Sequence, residues 1–152
     1  DSLEKKLRQL TAERDQIGDL MTFALDHADK AHDVAQTIAE SLTIDTTPLP
    51  TKLARLYLVS DILYNTSNTD ISNASFFRSA FEKELPSIMQ NFNGVLNQIT
   101  SRITAQNLTD KVLRVLRIWQ SWSVFPEMFI SGLRSTFLMK QSESETKKED
   151  KL

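Results

Sequence analysis

The 152-residue chain has no cysteine, only three glycines and only four prolines. The lack of cysteine excludes disulfides, thiolate metal sites and cysteine nucleophiles, and it fits a reducing intracellular compartment. So few glycines and prolines argue against a β-sandwich or a glycine-rich nucleotide-binding fold. No apolar run reaches the roughly 20 residues that span a bilayer. The net charge of −2 provides no general attraction to nucleic acid or to an anionic membrane.

The chain does contain enough apolar sequence for one helical domain, with 40% hydrophobic and 25% charged residues. Apolar residues recur at helical spacing and no segment alternates as a strand does, which predicts an all-α fold of about eight helices. Prolines and polar dipeptides predict the breaks: Pro48 and Pro50 start a helix, Pro86 ends a short one, and Asn107 opens another. We expect a domain over residues 1–140, excised from a longer protein, and a solvated, disordered tail over residues 141–152.

The segment from Lys52 to Asn65 is apolar almost all round, which predicts a helix buried among others. Tyr57, Asp61 and Asn65 recur every four residues and share one face, with Ser60 beside them. A carboxylate in an apolar helix is costly unless it finds a partner or faces a groove. Two interpretations remain: the strip caps a neighbouring helix end, or it lines a binding groove.

A later helix carries a basic stripe of Lys111, Arg114 and Arg117, spaced three residues apart beside an apolar face. Such a stripe is typical of an ordinary solvated helix face. If it bordered the polar strip, an arginine there could bind a phosphate through two hydrogen bonds.

No catalytic motif is present: the chain has no G-x-S-x-G, no H-E-x-x-H and no phosphate-binding loop pattern. Its two histidines, His27 and His32, are five residues apart and lie on different faces of one helix, a poor spacing for a metal. We therefore expect no enzyme, no cofactor and no metal site.

Two segments, KLARLYLVSDILYN and then VLRVLRIWQSWSVFP, resemble the central helix and the arginine helix of the RNA polymerase II C-terminal-domain-interacting domain, also called the CID or RPR domain. More narrowly, DQIGDLMTFALDHADKAHDVAQTIAESL, NASFFR and WSVFPEMFISGL are similar to the CID of SURP-motif splicing factors, which associate with the branch-site small nuclear ribonucleoprotein. The resemblance extends to about Lys140. It implies a right-handed superhelix of about eight helices, as in the ENTH and VHS domains.

The resemblance also implies a function. CID domains bind the heptad repeats (Tyr-Ser-Pro-Thr-Ser-Pro-Ser) of the polymerase tail in a groove, and serine phosphorylation tunes this binding. Asp61 matches the acidic residue that hydrogen-bonds the heptad tyrosine, Tyr57 and Asn65 match groove residues, and Arg114 matches an arginine that contacts phosphoserine. Ser60 completes the expected peptide-binding set, and the supporting candidates are Arg14, Lys52, Lys111 and Arg117. The expected role is a nuclear one, coupling pre-mRNA splicing to transcription.

Two positions depart from the family pattern, because Thr66-Ser67-Asn68 is neutral where other members carry a cation, and Trp122 stands where many have arginine. The loss of two cations favours an alternative, a scaffold of the same fold that docks another spliceosomal protein or RNA. A phosphoinositide or cargo reader is a third class, but Asp1 to Leu10 offers no basic amphipathic helix. We expect a monomeric domain without membrane association, in a protein that reaches RNA through flanking domains.

Overall fold

The computed structural model describes residues 2–66 and 73–140, and over these ranges the fold is all-helical, as predicted. The elements are α1 (Ser2–Gln9), α2 (Arg14–Asp26), a 3-10 turn (Ala28–Lys30), α3 (Ala31–Thr43), α4 (Leu49–Thr66), α5 (Phe76–Gln98), α6 (Arg102–Trp122) and α7 (Glu127–Leu138). The expected disordered tail, residues 141–152, and most of the expected loop after α4, residues 67–72, lie outside the described residues. None of the described helices is both long and apolar enough to cross a membrane.

The chain forms two compact units, Asp1–Leu85 and Pro86–Leu152, whose border falls within α5. In the first unit α4 packs against α2 and α3, and α3 packs against α1. Most apolar side chains of α4 are buried: Leu53, Ala54, Leu56, Leu58, Val59, Ile62 and Leu63. The prediction that the apolar segment forms a helix packed against other helices is confirmed. The single domain over residues 1–140 stays a prediction.

In the second unit α6 packs against α7. Trp119 is fully buried and meets the ring of Phe125 edge-on, with the ring centroids 6.1 Å apart. α6 ends where Ser123 takes a left-handed conformation (φ 54°), and Pro126 directly precedes the first residue of α7.

The expected helix break at Pro86 is wrong, because α5 runs from Phe76 to Gln98 with this proline inside it. Proline removes one helical hydrogen bond and costs about 3 kcal/mol in a helix interior. Buried side chains at helical spacing continue on both sides of it, Phe77, Phe81 and Leu85 before and Ile88, Met89 and Phe92 after. Their burial outweighs the cost of a proline that is itself exposed.

The start of α6 also differs from the prediction. Ser101, not Asn107, precedes the first turn, and its hydroxyl accepts a hydrogen bond from the Thr104 N–H at 3.3 Å. Ile103 lies in the first turn of α6, and it is 76% exposed. A serine that satisfies an N–H of the first turn is the favoured N-cap, which explains the earlier start.

Candidate functional site

The predicted polar strip lies on α4, where Tyr57, Ser60, Asp61 and Asn65 are all half-buried. Two of its members, Asp61 and Asn65, face a pocket of about 580 Å³ between α4 and α2. We call it the α2–α4 groove, lined by Arg14, Asp15, Gly18, Asp19, Met21, Thr22, Asp61, Tyr64 and Asn65. Tyr57 and Ser60 precede Asp61 on the same helix and are not among the residues that line the groove.

Asp61 is the carboxylate that α4 contributes to the groove. Burial raises the pKa of its carboxyl, and the nearby Arg14 partly opposes this shift. The Asn65 amide donates to the main-chain oxygen of Asp61 at 2.8 Å, which fixes the side chain one turn further along α4. A carboxylate that has lost some of its water gains more from an incoming donor than an exposed one does.

The other wall of the groove is the first half of α2, which begins at Arg14. The Thr11 hydroxyl accepts from the Glu13 N–H at 3.3 Å, and the Gln16 side-chain oxygen accepts from the Thr11 N–H at 3.0 Å. These two bonds tie the chain just before the helix. They place exposed Arg14 at the groove, beside Asp61.

Several groove residues were not foreseen from the sequence. Tyr64 is 49% exposed, and Asp15, Asp19 and Thr22 project from α2. The sequence does contain a signal for the three α2 residues, because residues 15, 19 and 22 recur at helical spacing and therefore share one polar face. With Asp61 the lining holds three carboxylates against the single cation Arg14, so the groove is acidic. An acidic lining favours hydroxyl and amide donors or cations over a phosphate.

The predicted basic stripe lies in the second unit, on α6, where Lys111, Arg114 and Arg117 are all exposed. The side chains can therefore meet an anion from solvent. Thr66, at one of the two neutral positions noted above, is buried and its hydroxyl donates to the Leu63 carbonyl at 2.8 Å.

Lys52, a supporting candidate from the sequence, is instead buried, with 2% of its surface exposed. Its ammonium donates to the main-chain oxygens of Leu42 at 2.7 Å and Ile44 at 2.9 Å, at the end of α3. Burial lowers the pKa of Lys52, although Asp45 opposes the shift. Lys52 satisfies carbonyls that a helix leaves unpaired at its C-terminus, so we do not carry it into the peptide-binding set.

Arg55 is a second buried cation of α4, and sequence reasoning missed it. Its guanidinium donates to the main-chain oxygens of Ser41 at 2.5 Å and Leu7 at 3.1 Å, which ties α4 to α3 and α1. Burial lowers its pKa. The spacing of Lys52 and Arg55 on one helix side was the available signal, but nothing in the sequence says which carbonyls they meet.

Comparison with known proteins identifies relatives of this chain. Protein RRC1 of Arabidopsis thaliana is 52% identical over 138 residues, and the RRC1-like protein of the same plant is 49% identical over 138 residues. These matches cover 91% of this chain but 14% of each relative, so the chain spans a small part of their length. An uncharacterized protein of Schizosaccharomyces pombe is 25% identical over 142 residues, covering 82% of the chain and 30% of that protein.

A family model, described as the CID domain, matches residues 1–133. The match covers most of the chain, and the described residues have the all-helical fold that the resemblance implied. The chain therefore belongs to the CID domain family, a family of protein-interaction modules.

Proposed function

We propose that this domain binds heptad-repeat segments of the RNA polymerase II tail, with the α2–α4 groove holding the heptad tyrosine. The observation that carries the proposal is the half-buried Asp61 carboxylate in the lining of the α2–α4 groove. A tyrosine hydroxyl is a neutral donor on a large apolar ring, so it satisfies Asp61 and covers apolar surface at once. The Asn65 side chain holds the adjoining turn in place.

The peptide's chemistry suits an open groove of this kind. A proline-rich segment is partly ordered before binding, so it loses less chain entropy. For one short repeat we expect micromolar or weaker affinity, about −8 kcal/mol at most. Further repeats in the tail would raise the apparent affinity through effective concentration.

The phosphate contact is assigned to Arg114, with Lys111 and Arg117 in support, because these exposed cations of α6 can pair with an anion. The α2–α4 groove itself disfavours phosphate, since three carboxylates face one arginine there. Phosphorylation of a serine that reaches Arg114 should strengthen binding, whereas a phosphate placed in the groove should weaken it.

We further propose that the whole protein acts in the nucleus, where it couples pre-mRNA splicing to transcription. Support comes from the motifs similar to the CID of SURP-motif splicing factors, and from the family to which the chain belongs.

The test is fluorescence anisotropy of a two-repeat heptad peptide, unmodified and serine-phosphorylated, against the wild type and two variants. Asp61→Asn should weaken both peptides by about 1–3 kcal/mol, because the tyrosine hydroxyl loses a charged acceptor. Arg114→Ala should weaken only the phosphopeptide, by a similar amount. Asp26→Asn on α2 and Arg102→Ala on α6 are the matched controls, as both residues are exposed and outside the candidate site.

Two results would contradict the proposal. If the peptides bind saturably and Asp61→Asn leaves their affinity unchanged, the heptad tyrosine does not bind in the α2–α4 groove. If neither peptide binds at high micromolar protein concentration, the polymerase tail is excluded as the ligand of this domain.

The acidity of the groove favours one second candidate, a scaffold that docks a basic segment of another spliceosomal protein. A lysine- or arginine-rich partner would be attracted by Asp15, Asp19 and Asp61, whereas the heptad repeat is uncharged. Chemical-shift mapping separates the two functions. Shifts at α2 and α4 with a basic splicing-factor peptide, and none with heptad peptide, would favour the scaffold.

A further inference from the structure

A second pocket of the first unit, of about 690 Å³, lies around the chain that joins α3 to α4. Its lining includes Ser41, Thr46, Thr47, Thr51 and Arg55. None of these residues lines the α2–α4 groove, and the peptide-binding proposal does not use them. The pocket therefore needs an account of its own.

Arg55, which lines this pocket, has a buried donor atom without a hydrogen-bond acceptor. The residue is 94% buried, as its exposed fraction is 6%. Its Nη1 and Nη2 atoms donate to main-chain oxygens, but Nε has no hydrogen-bond partner. Among the buried side-chain nitrogens and oxygens of the described residues, it is the one atom left in this state. A buried charged donor without an acceptor is costly, so an anion reaching the guanidinium would relieve that cost.

Thr47 is positioned to carry such an anion. Its hydroxyl donates to the Ser41 main-chain oxygen at 3.2 Å, the same oxygen that accepts from Arg55 Nη1 at 2.5 Å. The Thr47 hydroxyl and the Arg55 guanidinium are thus neighbours on one acceptor. Thr47 also stands two residues before the start of α4, an 18-residue helix whose N-terminal dipole favours negative charge.

The sequence around Thr47 adds an independent observation. Thr47-Pro48 is the one Ser-Pro or Thr-Pro dipeptide among the 152 residues. Thr46 and Pro48 on either side of Thr47 are exposed, and Thr47 itself is half-buried. A threonine followed by proline in a surface connection is a substrate that a proline-directed protein kinase can recognise.

We propose that Thr47 is a phosphorylation site and that its phosphate is received by Arg55 and the N-terminal turn of α4. A proline-directed kinase would transfer the γ-phosphoryl group of ATP to Thr47 Oγ1. The new Oγ1–P bond forms, the bond from γ-phosphorus to the bridging oxygen breaks, and ADP leaves. The hydroxyl proton passes to the catalytic base of the kinase. Ser41 keeps its hydrogen bond from Arg55 when the Thr47 donor is lost.

The surrounding charges decide whether the phosphate is held or repelled. The pocket is also lined by Arg8, Glu4 and Glu40, which are exposed and so screened by water. Asp45 lies two residues before Thr47 and is exposed as well, whereas Lys52 is buried beside Arg55. The buried cations act in a lower dielectric than the exposed carboxylates do, so the balance favours the phosphate dianion.

The first part of the test asks whether the folded chain is a substrate. The full chain is treated with a proline-directed kinase and ATP, and the product is examined by intact mass and by fragment mapping. We expect a single phosphate on wild type and on Thr46→Ala, and none on Thr47→Ala. Failure of the folded chain to accept phosphate, when a synthetic peptide of residues 42–52 accepts it, would overturn the proposal.

The second part asks whether the fold receives the phosphate. The second pKa of a phosphothreonine is about 6, and a neighbouring opposite charge shifts a pKa by about 1–3 units. In ³¹P spectra we expect the folded chain to titrate at least one unit lower than the same phosphorylated chain in urea. Arg55→Lys keeps the charge but removes Nε, so we expect it to make the pKa difference between the folded and the urea-unfolded chain smaller. An equal or higher pKa in the folded chain would overturn the proposal, even if an Arg55 variant does not fold.

The third part of the test distinguishes the phosphate attached to Thr47 from free inorganic phosphate. At neutral pH the phosphorylated chain should melt about 3–6 °C above the unmodified one, because it gains charge-assisted hydrogen bonds. Excess inorganic phosphate added to the unmodified chain should produce a much smaller rise. An equal rise would show that the pocket takes a free anion rather than the phosphate of Thr47. A lower melting temperature after phosphorylation would mean repulsion by Glu4, Glu40 and Asp45, and would overturn the proposal.

Discussion

Replacement of Lys52 by methionine distinguishes a stabilising role for this cation from a peptide-binding one. Its ammonium donates to the Leu42 and Ile44 carbonyls at 2.7 and 2.9 Å. Each hydrogen bond from a charged donor contributes about 1.5–3 kcal/mol, so the gross loss is about 3–6 kcal/mol. Burial of the ammonium, which lowers the pKa of Lys52, opposes folding and offsets part of that loss. We expect the free energy of unfolding to fall by about 2–4 kcal/mol.

The assay is urea denaturation followed by circular dichroism, together with peptide anisotropy on the folded protein. With a slope of about 2 kcal/mol per molar urea, the midpoint should fall by about 1–2 M. Lys83→Met on the exposed side of α5 is the matched control, since Lys83 lies outside the candidate site, and its effect should stay within about 0.5 kcal/mol. Equal stability of the two variants would refute the role of Lys52 at the end of α3. Unchanged stability with lost heptad affinity would return Lys52 to the peptide-binding set.

Three further changes test the fold and the electrostatics of the site. Ser101→Ala should cost about 1 kcal/mol in thermal or urea unfolding, because α6 loses its N-cap, whereas Asn107→Ala, now inside the helix, should be neutral or stabilising. Asn93→Ala should cost about 1–2 kcal/mol, since its amide donates to the Phe137 carbonyl at 2.9 Å; an unchanged midpoint would exclude that bond. Burial raises the pKa of Asp61, so the folded state binds its proton more readily than the unfolded state does. Asp61→Asn should therefore stabilise the domain at neutral pH, and the gain should shrink as the pH falls through the raised pKa towards 3.8; a gain that does not depend on pH would contradict this.

Much of the fold follows from the sequence because the apolar pattern is strong. Helix α4 begins at Leu49, between the two prolines expected to start it, and it ends at Thr66, one residue after the apolar segment predicted to be helical. The two errors, at Pro86 and at the start of α6, have different causes. At Pro86 the burial of side chains on both sides of the proline outweighs the cost of a proline inside a helix. At α6 the N-cap Ser101 starts the helix before Asn107 is reached.

The candidate site was predicted in part. The strip of Tyr57, Asp61 and Asn65 follows from helical spacing alone, since residues four apart share a face. The acidic wall of the groove did not follow, because α2 had to be placed against α4 before its polar side chains acquired a partner. The role of Arg114 came from the family resemblance, and the structure adds that this side chain is exposed on α6.

Helix geometry explains why the cation and the carboxylate of α4 serve different neighbours. Lys52 and Asp61 are nine residues apart, which at about 100° per residue puts them on opposite faces, roughly 13 Å apart along the axis. The first therefore meets the end of α3 and the second faces α2, the two helices that flank α4 in its unit. Arg55 lies within about 60° of Lys52 and joins the same side. The position of each residue around α4 thus distinguishes two faces. The face of Lys52 and Arg55 carries buried cations that hold neighbouring helices in place, and the face of Asp61 remains available to a ligand.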